Sequence, residues 1–170
     1  MKETGMTRRV DELGRVVIPK EIRQIFKIKV GTPLEIFIEG DRLVMQKYSV
    51  AQGYLAFLNG VAESLASATG YTVAILSNES VVCAKGRDAA AFANIRVSDG
   101  LFKMLDSRQP FSCDAQDYFN LIERQAYVFP LVNNGDLLGA IVMVSSDGID
   151  DSDKKLARLA SDLFLKQLDD

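Results

Sequence analysis

The chain has 170 residues, of which 48% are apolar and 25% charged, and its formal net charge is −3. This length suits one large or two small domains, and the absence of a long apolar run or a secretory signal predicts a cytoplasmic protein. The sequence contains no histidine, which argues against histidine-based catalysis and most transition-metal sites. We therefore expect a non-enzyme without a metal or cofactor. Cys83 and Cys113 are expected to be reduced thiols, with a redox pair as the minor alternative.

The charge is distributed unevenly along the chain. Residues 1–50 contain ten Lys and Arg against seven Asp and Glu, a net +3, whereas residues 51–170 contain ten against sixteen, a net −6. Such asymmetry favours a basic module that meets a polyanion, joined to a domain with another role. A chance imbalance between two ordinary domains is the alternative. We place the boundary at residue 50, giving domains 1–50 and 51–170.

The first thirty residues predict two short strands and a helix. Residues 6–10 and 14–19 have strand character, the second because Val16, Val17 and Ile18 are β-branched. Pro19 suits the start of a helix over residues 20–28, which Gly31 would end. The helix has an apolar face and a polar one at helical spacing. The apolar face holds Ile18, Ile22, Ile25 and Phe26, and the polar face holds Lys20, Arg23, Gln24 and Lys27.

The next residues predict a hairpin. Residues 33–40 alternate Leu34, Ile36 and Ile38 with other side chains, as in a half-buried strand, and residues 42–48 return after a turn at 40–41. Some fifty residues bury little core, and short strands leave unpaired edges. A dimer would solve both problems and place two basic surfaces side by side.

The segment "VDELGRVVIPKEIR", residues 10–23, resembles the DNA-binding domain of AbrB-type transition-state regulators. The resemblance implies a swapped-hairpin β-barrel dimer in which strands of two chains interleave. It also implies that the DNA-contacting arginines are Arg8, Arg15 and Arg23. A further basic position of the family is Gln24 here, a departure that would weaken binding or shift the preferred DNA sequence. Arg9 and Lys20 lie close by in the sequence and would compensate.

Arginine suits this role because its guanidinium grips phosphate or guanine in a fork and keeps its charge. The alternative is that these arginines pair with Asp11, Glu12 and Glu21 inside the dimer. Related folds also occur in antitoxins, whose C-terminal parts are short toxin-binding tails, so an antitoxin-like interaction module is a second hypothesis. The roughly 120 residues that follow here argue against it.

Residues 51–170 predict an α+β domain, so the whole chain is mixed α/β. Helices are expected over 50–70, with Gly70 as its cap, over 88–95, over 98–109, capped by Ser98, and over 148–170, capped by Asp150 or Ser152. Strands are expected over 71–78, 80–86, 110–115, 126–132 and 137–145, the last two joined by a turn at 133–136. One antiparallel sheet backed by helices follows from this order.

The phrase "VFPLVNNGDLLGAIVMVS", residues 128–145, resembles the hairpin of GAF-type sensory domains. Together with the head, it resembles a narrower group of sporulation regulators, which implies a transcription regulator that activates some genes and represses others. That resemblance also implies a homotetramer through the C-terminal helices, with double-stranded DNA as partner in the nucleoid. The second domain is expected to sense a signal, through a small-molecule ligand that the sequence does not identify, or to support tetramerisation. Arg87, Arg96 and Arg124 are possible anion ligands, and Phe102, Tyr118 and Phe119 possible pocket walls, although core or surface roles are favoured.

Overall fold

The computed structural model describes residues 5–26, 28, 30, 32, 34–48 and 53–169. The chain separates into two compact units, residues 1–48 and 49–170, and each is described by itself. The predicted boundary at Val50 lies outside the described residues, and so do Lys27 and Gly31 of the predicted first helix.

The first unit, called the head here, contains one short helix and one hairpin. Helix α1 covers Lys20–Ile25, and strands β1 (Leu34–Glu39) and β2 (Arg42–Lys47) pair antiparallel, with Leu34 opposite Lys47 and Glu39 opposite Arg42. Gly40 has φ 64° at the turn, a conformation that glycine adopts without steric cost. The predicted hairpin is therefore confirmed, and the predicted helix is present but ends at Ile25.

The two strands predicted over residues 6–10 and 14–19 are wrong for a single chain. Residues 5–10 and 15–19 form no strand, and the sheet of the head has two strands only among the described residues. A strand needs a neighbour for its backbone N–H and C=O groups. The β-branched pattern therefore marks segments suited to a sheet, but neither segment pairs with a strand among the described residues.

The head has no interior of its own. None of the described residues in 5–48 is buried, and Ile38, Ile25 and Val17 are 79%, 71% and 72% exposed. The predicted half-buried face of β1 is likewise open, since Ile36 is 60% exposed. An isolated soluble unit rarely leaves so much contiguous apolar surface in water.

The second unit is built on a five-stranded antiparallel sheet. Its strands are β3 (Thr72–Leu76), β4 (Val81–Lys85), β5 (Phe111–Asp114), β6 (Gln125–Asn133) and β7 (Asp136–Ser145). They lie in the order β4-β3-β7-β6-β5. All five predicted strands are present, and the β6–β7 turn is where the sequence places it.

Helices cover both faces of this sheet. They are α2 (Leu55–Thr69), a 3₁₀ helix (Ala89–Phe92), α3 (Asp99–Asp106), α4 (Gln116–Phe119) and α5 (Asp151–Asp169). The predicted caps at Ser98 and Gly70 are confirmed: the Ser98 hydroxyl accepts a hydrogen bond from the Leu101 N–H, and Gly70 is left-handed with φ 73°. At the last helix, Ser152 lies inside α5, and the Asp150 carbonyl accepts the Lys154 N–H.

Each face of the sheet has its own core. On one face α2 and α5 pack over the sheet through residues that include Leu58, Leu65, Ile75, Ile141 and Phe164. On the other face the 3₁₀ helix, α3 and α4 pack through residues that include Leu76, Phe92, Leu101, Phe119 and Val142. Because the two long helices share one face, their outer sides form a common surface. A search of the described helices for one able to cross a bilayer finds none.

Candidate nucleic-acid interface

The centre of the basic segment is a tight loop over residues 11–15 organised by Asp11. One Asp11 carboxylate oxygen accepts the backbone N–H groups of Leu13 and Arg15, at 3.0 and 2.8 Å. The Gly14 N–H donates to the Asp11 carbonyl at 2.9 Å, and Gly14 has φ 76°, so a glycine suits that position. The loop therefore holds Arg15 at a defined place on an otherwise exposed segment.

Arg15 also forms an ion pair with Asp11. Its Nε lies 2.8 Å from Asp11 Oδ2, while its side chain stays 70% exposed. Hydrogen bonds from the backbone N–H of Arg15 and then from its side chain hold the pKa of the Asp11 carboxyl below its usual value. Of the acidic pairings considered as an alternative to DNA contact, the Arg15–Asp11 pair therefore forms, within a single chain. Because one contact uses only Nε, the guanidinium keeps further donors for an anion.

Helix α1 carries the second part of the segment. Pro19, with φ −55°, precedes the helix, and its carbonyl accepts the Arg23 N–H at 2.9 Å. Lys20, Arg23 and Gln24 are all exposed on this short helix. Arg23 forms no ion pair with any described residue, so its charge is available to a partner.

Arg8 and Arg9 precede the loop and are exposed. The Arg8 guanidinium donates only to the neighbouring Thr7 carbonyl, at 3.0 Å, and Arg8 makes no ion pair with the described part of the chain. All six predicted DNA-binding residues thus lie at the surface of the head. Arg15 lies against Asp11, and the other five have no side-chain partner among the described residues.

The sequence pattern indicated Asp11 only as a charge partner of an arginine. It did not predict that the Asp11 side chain would hold the loop together. The available signal was the spacing of Asp11 and Gly14, because an Asp side chain commonly accepts N–H groups two or more residues on, before a glycine. Among the described residues no group of acidic or cysteine side chains is arranged to hold a metal ion.

The second unit presents a groove between α2 and α5, which we call the helix groove. It has a volume of about 540 Å³ and is lined almost wholly by apolar groups, among them Phe57, Val61, Leu156, Leu159 and Leu163. Leu159 and Leu163 are 55% and 50% exposed. The helix groove is therefore an unpartnered apolar surface made of the outer sides of the two long helices.

The residues considered for a ligand of the second unit have ordinary structural roles or lie on the surface. Phe119 is completely buried, 5.4 Å from Phe92 between ring centroids. Arg124 Nε donates to Asp88 Oδ2 at 3.2 Å, and Arg87 and Arg96 are exposed.

Comparison with protein families gives two matches that divide the chain between them. Residues 55–169 match the family described as stage V sporulation protein T C-terminal, transcription factor. Residues 7–52 match the antidote-toxin recognition family of the bacterial antitoxin MazE. The match to the MazE family therefore covers the basic loop, α1 and the hairpin. The match to the stage V sporulation protein T family covers the five-stranded sheet.

Two proteins of Bacillus subtilis are informative relatives. Stage V sporulation protein T is 36% identical over 154 residues, which cover 86% of each chain. The transition state regulatory protein AbrB is 48% identical over 48 residues, which cover 28% of this chain and 50% of that protein.

Solved structures similar to this chain contain GAF domains. A GAF domain/HD domain protein from Geobacter sulfurreducens has a TM-score of 0.55 at 15% identity, covering 66% of this chain and 89% of that one. The cofactor binding GAF domain of the nutrient sensor CodY from Clostridium difficile has a TM-score of 0.51 at 13% identity, covering 72% and 99%. These similarities confirm the GAF-like fold that residues 128–145 suggested.

The fold and the matches define the class of protein: a transcription regulator with an AbrB-type head and a GAF-like second unit. More narrowly, the chain belongs to the family of stage V sporulation protein T.

Proposed function

We propose that the chain regulates transcription by binding double-stranded DNA through the basic segment of its head, activating some genes and repressing others at a sporulation stage. The observation that carries this proposal is the exposed series of basic side chains from Arg8 to Arg23, fixed by the Asp11 loop and by α1. Exposed arginines on an ordered loop and helix suit phosphate and groove contacts. Action on DNA would place the protein in the cytoplasm, at the nucleoid.

Two chains would form one head. Supporting this, none of the described head residues is buried, and the β-branched residues 16–18 find no strand partner in their own chain. If the segments 6–10 and 14–19 of one chain add to the hairpin of another, their backbone groups are satisfied and the apolar faces become an interior. The interleaved dimer would also double the number of basic side chains facing DNA.

Within that head, Arg8, Arg15 and Arg23 would make the main contacts, and Arg9 and Lys20 would add charges that position the protein. Lys side chains act as point charges, whereas an Arg fork also reads guanine. Gln24 can accept and donate hydrogen bonds but carries no charge. We therefore assign Gln24 a part in base preference rather than in phosphate binding.

The helix groove would join two such dimers into a tetramer. Leu159 and Leu163 project an apolar ridge from α5, and a second copy of the α2–α5 pair would cover it as a four-helix bundle does. This arrangement would couple two DNA-binding heads. The second unit would then support assembly, and its GAF-like fold would receive a signal.

The test is a fluorescence-anisotropy titration of full-length protein against labelled duplexes from promoters of its own genome. The triple variant Arg8→Gln, Arg15→Gln, Arg23→Gln should bind at least about tenfold more weakly, because each lost phosphate contact removes counterion release. Arg87→Gln, an exposed arginine of the second unit, is the matched control and should bind like wild type. Equal affinity of the triple variant and wild type would refute the proposal.

An antitoxin-like module remains the second candidate because residues 7–52 match the MazE family. It predicts that a small partner protein co-purifies with the full chain and that DNA binding is secondary. The match of residues 55–169 to a transcription-factor family favours the first function.

A further inference from the structure

A second crevice of the C-terminal unit lies on the flank of α5 away from the helix groove. It is bounded by α5, by β6 and by the residues just before β5, and its volume is about 370 Å³. Its lining combines two guanidinium groups, a carboxylate, a hydroxyl and apolar side chains. The residues that matter are Arg108, Arg158, Ser161, Asp162, Phe129 and Leu165. We call it the α5–β6 crevice, and its size falls within the range of small-molecule sites.

Ser161 is the unusual member of this set. It is 3% exposed, one of four buried polar residues among those described. The side chains of Thr72, Ser77 and Ser145 each take part in a hydrogen bond, whereas the Ser161 hydroxyl has no hydrogen-bond partner among the described residues. Buried hydroxyl groups are normally satisfied. A polar group that lines a crevice and lacks a protein partner points to a polar atom of a ligand.

The two arginines supply the charge. Arg108 has φ 57°, and its guanidinium donates only to the main-chain carbonyls of Gly135 and Asp106, at 2.8 and 3.4 Å. Arg158 is exposed, and neither arginine forms an ion pair with a described residue. With Asp162 on the same crevice, the charged groups leave one net positive charge. That balance favours a monoanion over a phosphate dianion.

Apolar groups make up the rest of the crevice. Phe129 and Leu165 are half-buried members of the core beneath α5, and they offer hydrocarbon surface beside the guanidinium groups. We propose that the α5–β6 crevice binds a small carboxylic acid with a branched or aromatic body, either a free acid or an α-amino acid. The carboxylate would take the two guanidinium forks and the Ser161 hydroxyl, and the body would lie on Phe129 and Leu165.

The test is isothermal titration calorimetry of the full-length protein at low salt with 4-methylpentanoate, leucine, leucinamide and inorganic phosphate. We expect saturable binding of 4-methylpentanoate or leucine at one site per chain. Arg158→Gln should weaken binding about tenfold, because a cation that faces the carboxylate is lost, and Ser161→Ala severalfold, because one hydroxyl hydrogen bond to the carboxylate is lost. Arg87→Gln is the matched control and should not change it. Whichever of 4-methylpentanoate and leucine binds with the lower Kd shows whether the site takes a free carboxylic acid or an α-amino acid.

Three results would overturn the proposal. One is that the wild-type protein shows no saturable binding of either acid up to about 10 mM, because a Kd above that value is too weak for a specific binding site. Another is binding that Arg158→Gln leaves unchanged although the variant melts like wild type. The last is equal binding of leucinamide or phosphate, because the first lacks the carboxylate and the second lacks the apolar body.

Discussion

Arg15 shows how one side chain is held by its own loop and still faces solvent. Its Nε and backbone N–H both donate to Asp11, and most of its side chain remains exposed. Such an exposed pair adds little to stability, so its value lies in fixing where the guanidinium points. An arginine positioned in this way loses less conformational entropy on binding an anion than a free one.

We expect Arg15→Ala to weaken DNA binding. If Arg15 grips phosphate, the loss should be similar for every duplex. If it reads a base, the loss should be about 1–3 kcal/mol and confined to duplexes with the preferred base at one position. Anisotropy titrations against a panel of single-base variants distinguish the two. Affinity unchanged across the whole panel would remove Arg15 from the interface.

The two cysteines belong to opposite edges of the sheet and cannot serve as a redox pair within one chain. Cys83 lies on β4 and Cys113 on β5, with three strands between them. Four strand spacings amount to roughly 19 Å, far beyond the reach of a disulfide. Burial, and then the charges of Asp117 and Asp114, raise the pKa of the Cys113 thiol to about 11.

Cys113 should therefore react slowly. A raised pKa means that the thiol stays protonated up to about pH 11 and that its reactivity grows as pH rises toward that value. In the Cys83→Ser variant, alkylation by iodoacetamide at pH 8 should be about a hundredfold slower than that of an unperturbed thiol. The measurement is the rate of mass increase in native buffer, with the urea-unfolded variant as control. Equal rates in the two states would contradict the burial of Cys113.

At the scale of elements, the glycine at position 139, near the start of β7, has a steric cause. A Cβ built on Gly139 would lie 2.0 Å from the carbonyl oxygen of Leu76, on the neighbouring strand β3. Gly139 has φ 156°, and β7 pairs with both β3 and β6 at this point. The glycine allows three strands to come together there, so it supports the whole sheet.

Gly139→Ala should consequently destabilise the second unit by several kcal/mol, because backbone must move to relieve the overlap. Gly100→Ala is the matched control, since its Cβ would meet the Tyr118 ring at 3.7 Å and the Ser98 hydroxyl at 3.9 Å, both ordinary contacts. It should be neutral or slightly stabilising within α3. Urea unfolding followed by circular dichroism measures both. If Gly139→Ala unfolds at the same urea concentration as the wild-type protein, the close approach of Gly139 to the Leu76 carbonyl on β3 would be contradicted.

The elements that the sequence predicts well are those with a strong local signal. The two hairpins, α2, α3 and α5 follow from turn residues, from apolar periodicity and, in α3, from the Ser98 cap. The sequence predicts a helix over 88–95, where the structure has only the 3₁₀ helix Ala89–Phe92, and it predicts no helix at α4, Gln116–Phe119. Both span four residues, too few to show a period, and they are fixed by packing of Phe92 and Phe119 into the core.

The residues of the candidate interface were predictable for a different reason. Basic side chains and the family motif are visible in the sequence, whereas the Asp11 loop is a matter of hydrogen-bond geometry. The strands predicted over 6–10 and 14–19 are wrong because a strand depends on a neighbour, and among the described residues these segments have none. The proposed dimer would supply that neighbour from a second chain.

At the scale of the molecule, assembly would be set by two apolar surfaces, those of the head and of the helix groove. The head would pair chains, and the helix groove would join pairs. Leu159→Asp with Leu163→Asp should convert a tetramer to a dimer, because two charges would otherwise be buried on each helix. Sedimentation velocity measures the change, with Gln167→Asp, an exposed position on α5, as control. A double variant that sediments as a tetramer would exclude the helix groove as the interface.

The most direct test of the account is the salt dependence of DNA binding by the full-length protein. If each chain of a dimeric head neutralises about three phosphates, log Kobs should fall against log salt concentration with a slope of about −5. The triple variant of Arg8, Arg15 and Arg23 should show a much shallower slope. A flat dependence for wild type would contradict the claim that the basic segment of the head meets the DNA backbone.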